Sequence, residues 1–172
     1  MDRLIAPWIR WGAALAFQGF ILRDAVWFTG WVCPAVHLIG LLLLPLTWSP
    51  LALMLAGGVT GIILDLLTAN GGLWTSSGLL FGALLPMVNR LLAPREGYES
   101  ESQPTATDQG LSWFITRGIM LIAMHELWRF GLEAGRWGLR WQTFPMALTS
   151  AASTTMIFVL IHKLFAGGGR MR

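Results

Sequence analysis

Between Pro50 and Leu67 the chain holds a single charged residue, Asp65, in a run otherwise built from Leu, Ala, Ile, Met, Val, Thr and Gly. A stretch of this length and polarity is long enough to cross a bilayer as a helix. A carboxylate at the centre of such a helix costs roughly 2.5–3.5 kcal/mol on insertion scales, and less toward an end. The fold must offset that cost. The rest of the chain suits the same solvent: 55% of its residues are hydrophobic and 12% charged, against roughly 25% charged in ordinary soluble domains. The ten tryptophans fit membrane–water interfaces, where an amphipathic ring sits at headgroup level. These features predict an all-α membrane protein in one multi-pass domain.

The formal net charge is +3. Spread over apolar helices, it forms no patch for nucleic acid and is read instead as topology information. Cys33 is the only cysteine, which excludes an intramolecular disulfide and a thiolate metal cluster. Arg3, Arg10 and the small residues of Ala14-Leu15-Ala16 have the outline of a signal peptide. Arg10 and Trp11 interrupt its apolar region, so the segment is expected to stay as a first membrane helix.

Six spans are expected, at about 5–22, 31–46, 50–67, 73–92, 111–132 and 144–165. Arg23-Asp24 forms a polar stop after the first, Pro45 and Pro50 punctuate the second and third, and Asn70-Gly71-Gly72 is a turn. Pro86 lies inside the fourth and is expected to kink it. Residues 93–110, polar and acidic, are expected to be a flexible loop. Six spans place both termini on one side. Arg3, Arg10, Arg90, Arg95, Arg117, Lys163, Arg170 and Arg172 then gather at the face of that loop, with Arg23, Arg136 and Arg140 opposite. Positive-inside puts the termini and the 93–110 loop in the cytoplasm.

Asp65 has two readings. It either sits near its helix end, solvated or capping the turn at Asn70, or it is a buried contact that fixes helix arrangement or meets a partner. Gly57, Gly58 and Gly61 lie on its side of the helix, and the Gly57-xxx-Gly61 spacing lets another backbone approach closely. The same small-residue spacing leaves a homodimer open. Arg129 is the first choice to balance the Asp65 charge. A second constellation, His125, Glu126, Arg129 and Glu133, falls on the fifth helix at spacings that share a face. It reads as a self-neutralising charge ladder near the outer surface, where Arg can snorkel. His125-Glu126 opens a zinc-protease motif, but Arg129 stands where the second His is required. His37 and His162 stand alone at no ligand spacing. No catalytic residues, metal or cofactor are expected.

Gly58-Val-Thr-Gly61-Ile-Ile-Leu-Asp65, followed by a Gly-rich turn and a helix opening at Gly72-Leu-Trp-Thr-Ser, resembles the rod-shape-determining protein MreD family. The Leu-Leu-Leu-Pro45 end of the second helix is similar, as are Pro94-Arg-Glu-Gly-Tyr-Glu99, Pro104 and Gly110-Leu-Ser-Trp113. So are His125, Phe130 and Glu133, and the Ser150, Ser153, Thr154 and Thr155 set of the last helix. Glu126 departs from the pattern, which often has a second His there. The resemblance runs from about residue 30 to 165 and is carried by order and spacing. It implies a non-enzymatic bacterial inner-membrane scaffold that pairs with the single-span protein MreC. That complex connects cytoplasmic MreB filaments to the peptidoglycan polymerase RodA and its penicillin-binding transpeptidase. It also implies a fold similar to the S components of energy-coupling-factor transporters. The alternative is an S component proper, binding a vitamin-like molecule in an outer pocket of rings such as Trp27, Trp31 and Trp74, with Gly12-xxx-Ala16 as its small-residue contact. An intramembrane hydrolase would need a paired nucleophile and base, and none can be built from these residues.

Overall fold

The computed structural model describes residues 2–22, 31–98, 102–137 and 141–166. Among them the chain is helical, with no β-strand. Among the described residues two helices are long and apolar enough to cross a membrane, Pro50–Thr68 and Thr143–Lys163. The elements are α1 (Asp2–Ala16), which passes into a π-helical turn (Phe17–Ile21), then α2 (His37–Leu42), α3 (Pro50–Thr68), α4 (Leu73–Leu91), the short α5 (Ala106–Gln109), α6 (Leu111–Trp137) and α7 (Thr143–Ala166). The expected polar stop Arg23-Asp24, the ring of Trp27, and Arg140, Arg170 and Arg172 lie outside the described residues, as do the side chains of Arg3 and Arg136.

The closest pair is the α3–α4 hairpin. Ser49 starts α3 by accepting from the Ala52 N–H (3.2 Å), with Pro50 in the first turn. Ala69 ends it in the left-handed region, and Gly71 and Gly72, both at positive φ, turn the chain into α4. The two helices then meet along glycines. A Cβ on Gly57 would strike the Gly78 carbonyl oxygen, one on Gly61 the backbone of Trp74 and Thr75, and one on Gly82 the backbone of Leu53 and Met54. The backbone that Gly57 and Gly61 admit is thus that of α4 in the same chain. Gly58 looks slightly aside, onto the Leu79 side chain. α4 runs helical through Pro86.

The second expected helix is mostly absent. Of residues 31–46 only His37–Leu42 is helical. Pro34 disfavours helix at Cys33 and offers no N–H of its own. The stretch before α2 is satisfied by side chains from elsewhere. Ser150 Oγ accepts from Cys33 N–H (3.0 Å), Thr154 Oγ1 from Ala35 N–H (3.0 Å), and Gln18 Oε1 from Val36 N–H (2.7 Å). Thr149 Oγ1 donates to the Trp31 carbonyl (2.6 Å). Irregular backbone in an apolar medium requires such internal partners. The Ser and Thr residues of α7 supply them, and the π-turn carries buried Gln18 within reach of Val36.

The core gathers where these pieces meet, around Leu38, Leu41, Leu42, Phe81, Leu121 and Phe158. α1 packs across α2, with Trp11 against Gly40, and Trp11 Nε1–H donates to Thr60 on α3 (2.8 Å). In the expected loop 93–110, Pro104 is buried and α5 forms one turn. The Tyr98 hydroxyl donates to the Asn89 carbonyl (2.6 Å). Burial raises the Tyr98 phenol above its ordinary pKa.

Candidate functional site

Three polar knots tie the helices together. The first is Asp65. Gly72, the residue before α4, has no side chain with which to cap it. Asp65 reaches over from α3 and does so: Oδ1 accepts from Trp74 N–H (3.1 Å), and Oδ2 from Thr75 N–H (2.8 Å) and Thr75 Oγ1–H (2.6 Å). These N–H groups belong to the first turn of α4, which has no intrahelical partners for them and carries the positive end of the helix dipole. The Asp65 charge is therefore balanced by a helix terminus, which corrects the expectation of Arg129.

Arg129 belongs to the second knot, with Glu126. Its Nε and Nη2 both donate to Glu126 Oε2 (3.2 and 3.0 Å), and the His125 ring lies 3.2 Å from the other carboxylate oxygen through Nδ1. Because a carboxylate only accepts, His125 carries its proton on Nδ1. Glu126 is 0% exposed and Arg129 5%, so the pair is buried, not a snorkelling ladder at the surface. One turn on from Arg129, Glu133 is half-buried. The guanidinium lies over the rings of Trp74 (5.0 Å) and Phe130 (4.0 Å). His37, expected to stand alone, is brought edge-on to His125 (5.7 Å) and to Trp74 (5.2 Å). In this ring cluster His37 Nδ1, Trp74 Nε1 and His125 Nε2 are buried without hydrogen-bond partners.

The third knot was not foreseen. Arg117, expected among the basic residues of the cytoplasmic face, is 1% exposed. Its Nε donates to Asn89 Oδ1 (2.6 Å), its Nη1 to the Leu42 carbonyl (2.7 Å), and its face lies 5.2 Å from the Trp113 ring. Leu42 ends α2 and Asn89 lies in the last turn of α4, so the cation rests at the negative ends of two helix dipoles. Trp113 Nε1–H closes the knot on the Leu92 carbonyl (3.1 Å) and Tyr98 (3.2 Å). No signal in the sequence marks Leu42 as a ligand, since it contributes only a carbonyl. Gly78 and Gly82, also unforeseen, repeat the four-residue spacing of Gly57 and Gly61 and were findable by it.

Of the expected site residues, Gly57, Gly61 and Asp65 meet α4 within the hairpin, Gly58 rests on Leu79, and His125, Glu126 and Arg129 meet in the core. Among the described residues no group of three or more His, Cys, Asp or Glu side chains is placed to hold a metal ion. No family model, curated protein or solved structure matches the chain.

Proposed function

We propose that the chain is a six-span scaffold of the bacterial inner membrane, of the MreD kind, with both termini cytoplasmic. It binds MreC and through it links MreB filaments to RodA and its penicillin-binding transpeptidase. The observation that carries this reading is the Asp65 clamp. The segment from Gly58 to Thr75, one of those that resemble MreD, is also one mechanical unit, in which both Asp65 oxygens are spent on the next helix. Glu126 is likewise bound into the core by Arg129 and His125. These acids support architecture, in keeping with a docking protein. Besides α3 and α7, the four further spans are α1 with its π-turn, the broken 31–46 segment, α4 and α6. A homodimer, if formed, uses another face than Gly57 and Gly61, which α4 already occupies.

The deciding experiment is affinity isolation of the tagged chain from native membranes. MreC, accompanied by RodA, is the expected co-purifying protein; transport ATPases without MreC would overturn the reading. In cells that depend on the chain for rod shape, Asp65→Leu at normal abundance is expected to give rounded cells, and normal rods would remove Asp65 from the mechanism. The S-component reading keeps one observation in its favour, the unpartnered nitrogens of His37, Trp74 and His125. A stoichiometric small molecule on the purified chain in native mass spectrometry would favour it.

A further inference from the structure

A cavity of about 1040 Å³ opens between α1, α2 and α7. It reaches the core itself, since its floor includes Val36, Ile39, Phe114 and Phe158, all buried. Its walls are apolar, Ala13 of α1 and Phe17 of the π-turn on one side and Ile157 and Ile161 of α7 on the other. The remainder of the lining differs in kind. Arg10, His162, Thr105 and Thr107 supply a cation, an imidazole and two hydroxyls, and among the described residues no carboxylate lines the cavity. The two threonine hydroxyls lie 2.8 Å apart and form one polar patch. The neighbouring Asp108 accepts from the Gln103 N–H (3.0 Å) and from the Thr107 hydroxyl (3.5 Å), so one carboxylate borders this patch from outside the lining.

A void lined by apolar side chains forfeits their dispersion contacts if it stays empty, and water finds too few partners there. The occupant must therefore bring hydrocarbon. The Arg10 cation and the two hydroxyls in the lining add a second requirement, an anion attached to that hydrocarbon. Basic pockets between membrane helices commonly receive anionic headgroups in this way. We propose that this cavity binds an anionic phospholipid, its acyl chain between α1 and α7 over Phe114 and Phe158 and its phosphate at Arg10, Thr105 and Thr107. The site concerns the isolated chain and is independent of which proteins it docks.

The test is native mass spectrometry of the purified full chain, delipidated in detergent and then given phosphatidylglycerol and phosphatidylcholine with identical acyl chains. The wild type is expected to retain phosphatidylglycerol about fivefold more, the effect of one basic side chain at an anionic headgroup. Arg10→Gln is expected to bring the ratio near one, and Arg10→Lys to preserve it. Ala13→Trp, which fills the cavity, is expected to lower retention of both lipids, with monodispersity and helix content confirming that each variant folds. Equal retention of the two lipids by the wild type would overturn the proposal. So would a preference unchanged in Arg10→Gln, or a peptide helix instead of lipid crosslinking to a photoreactive group at Ala13.

Discussion

At Gly72 the chain enters α4 without a capping side chain, and the acid that fills the role lies seven residues earlier, at Asp65 on another helix. Sharing a cap between two helices makes the cap a tertiary contact. Asp65→Asn keeps one acceptor but turns an amide N–H₂ toward donors, and is expected to lower stability by about 1 kcal/mol. Asp65→Leu leaves the Trp74 and Thr75 N–H groups without partners and is expected to cost about 2–3 kcal/mol. Unfolding in mixed micelles, followed by circular dichroism, measures both. The oddity of Asp65 was plain in the sequence, because a carboxylate in an apolar run demands a partner. Its partner was not, because backbone N–H groups have no letter of their own.

The α3–α4 hairpin was the most legible element. Pro50, the apolar run and Asn70-Gly71-Gly72 set its bounds, and the structure ends α3 one residue later and α4 one residue earlier than expected. Its glycines differ in consequence from an open one. Gly78→Leu would drive a side chain into the Gly57 backbone, and is expected to cost at least about 3 kcal/mol, the upper range for overpacking. Gly12→Leu, where nothing lies within 4 Å, is expected to change stability by less than about 0.5 kcal/mol. The same micelle titration compares them. The second span was the least legible element. Its apolar letters read as helix, but Pro34 interrupts it, and what makes the interruption tolerable are Gln18, Ser150 and Thr154. No local pattern connects Cys33 to a serine 117 positions away.

For the whole molecule, the polar knots decide how the described helices settle into one arrangement when apolar contact alone discriminates poorly. For helices that lie in a bilayer, lipid tails are as apolar as leucine, so interhelical hydrogen bonds and close backbone packing carry the specificity. The Glu126–Arg129 pair shows the balance. Glu126→Leu or Arg129→Met alone strands a buried charge and is expected to cost about 3–5 kcal/mol. The double variant is expected to recover most of that loss, which a double-mutant cycle in micelles reads directly. Spacing had placed Glu126 and Arg129 on one face. That the face points inward, beneath Trp74 and beside His37, depended on how α2 and α4 fold over α6.

The stitched segment ahead of α2 also has a pitch. Cys33 and Ala35 are two residues apart in a non-helical chain, and two extended residues advance roughly 6.6 Å. Ser150 and Thr154 are four apart on a helix, an advance of about 6 Å. The two rulers agree to within a fraction of an ångström, so donors and acceptors meet only at this register. α7 cannot slide or rotate without leaving the Cys33 and Ala35 amides unanswered. A short stretch outside any helix thereby gauges the position of a helix more than a hundred residues along the chain.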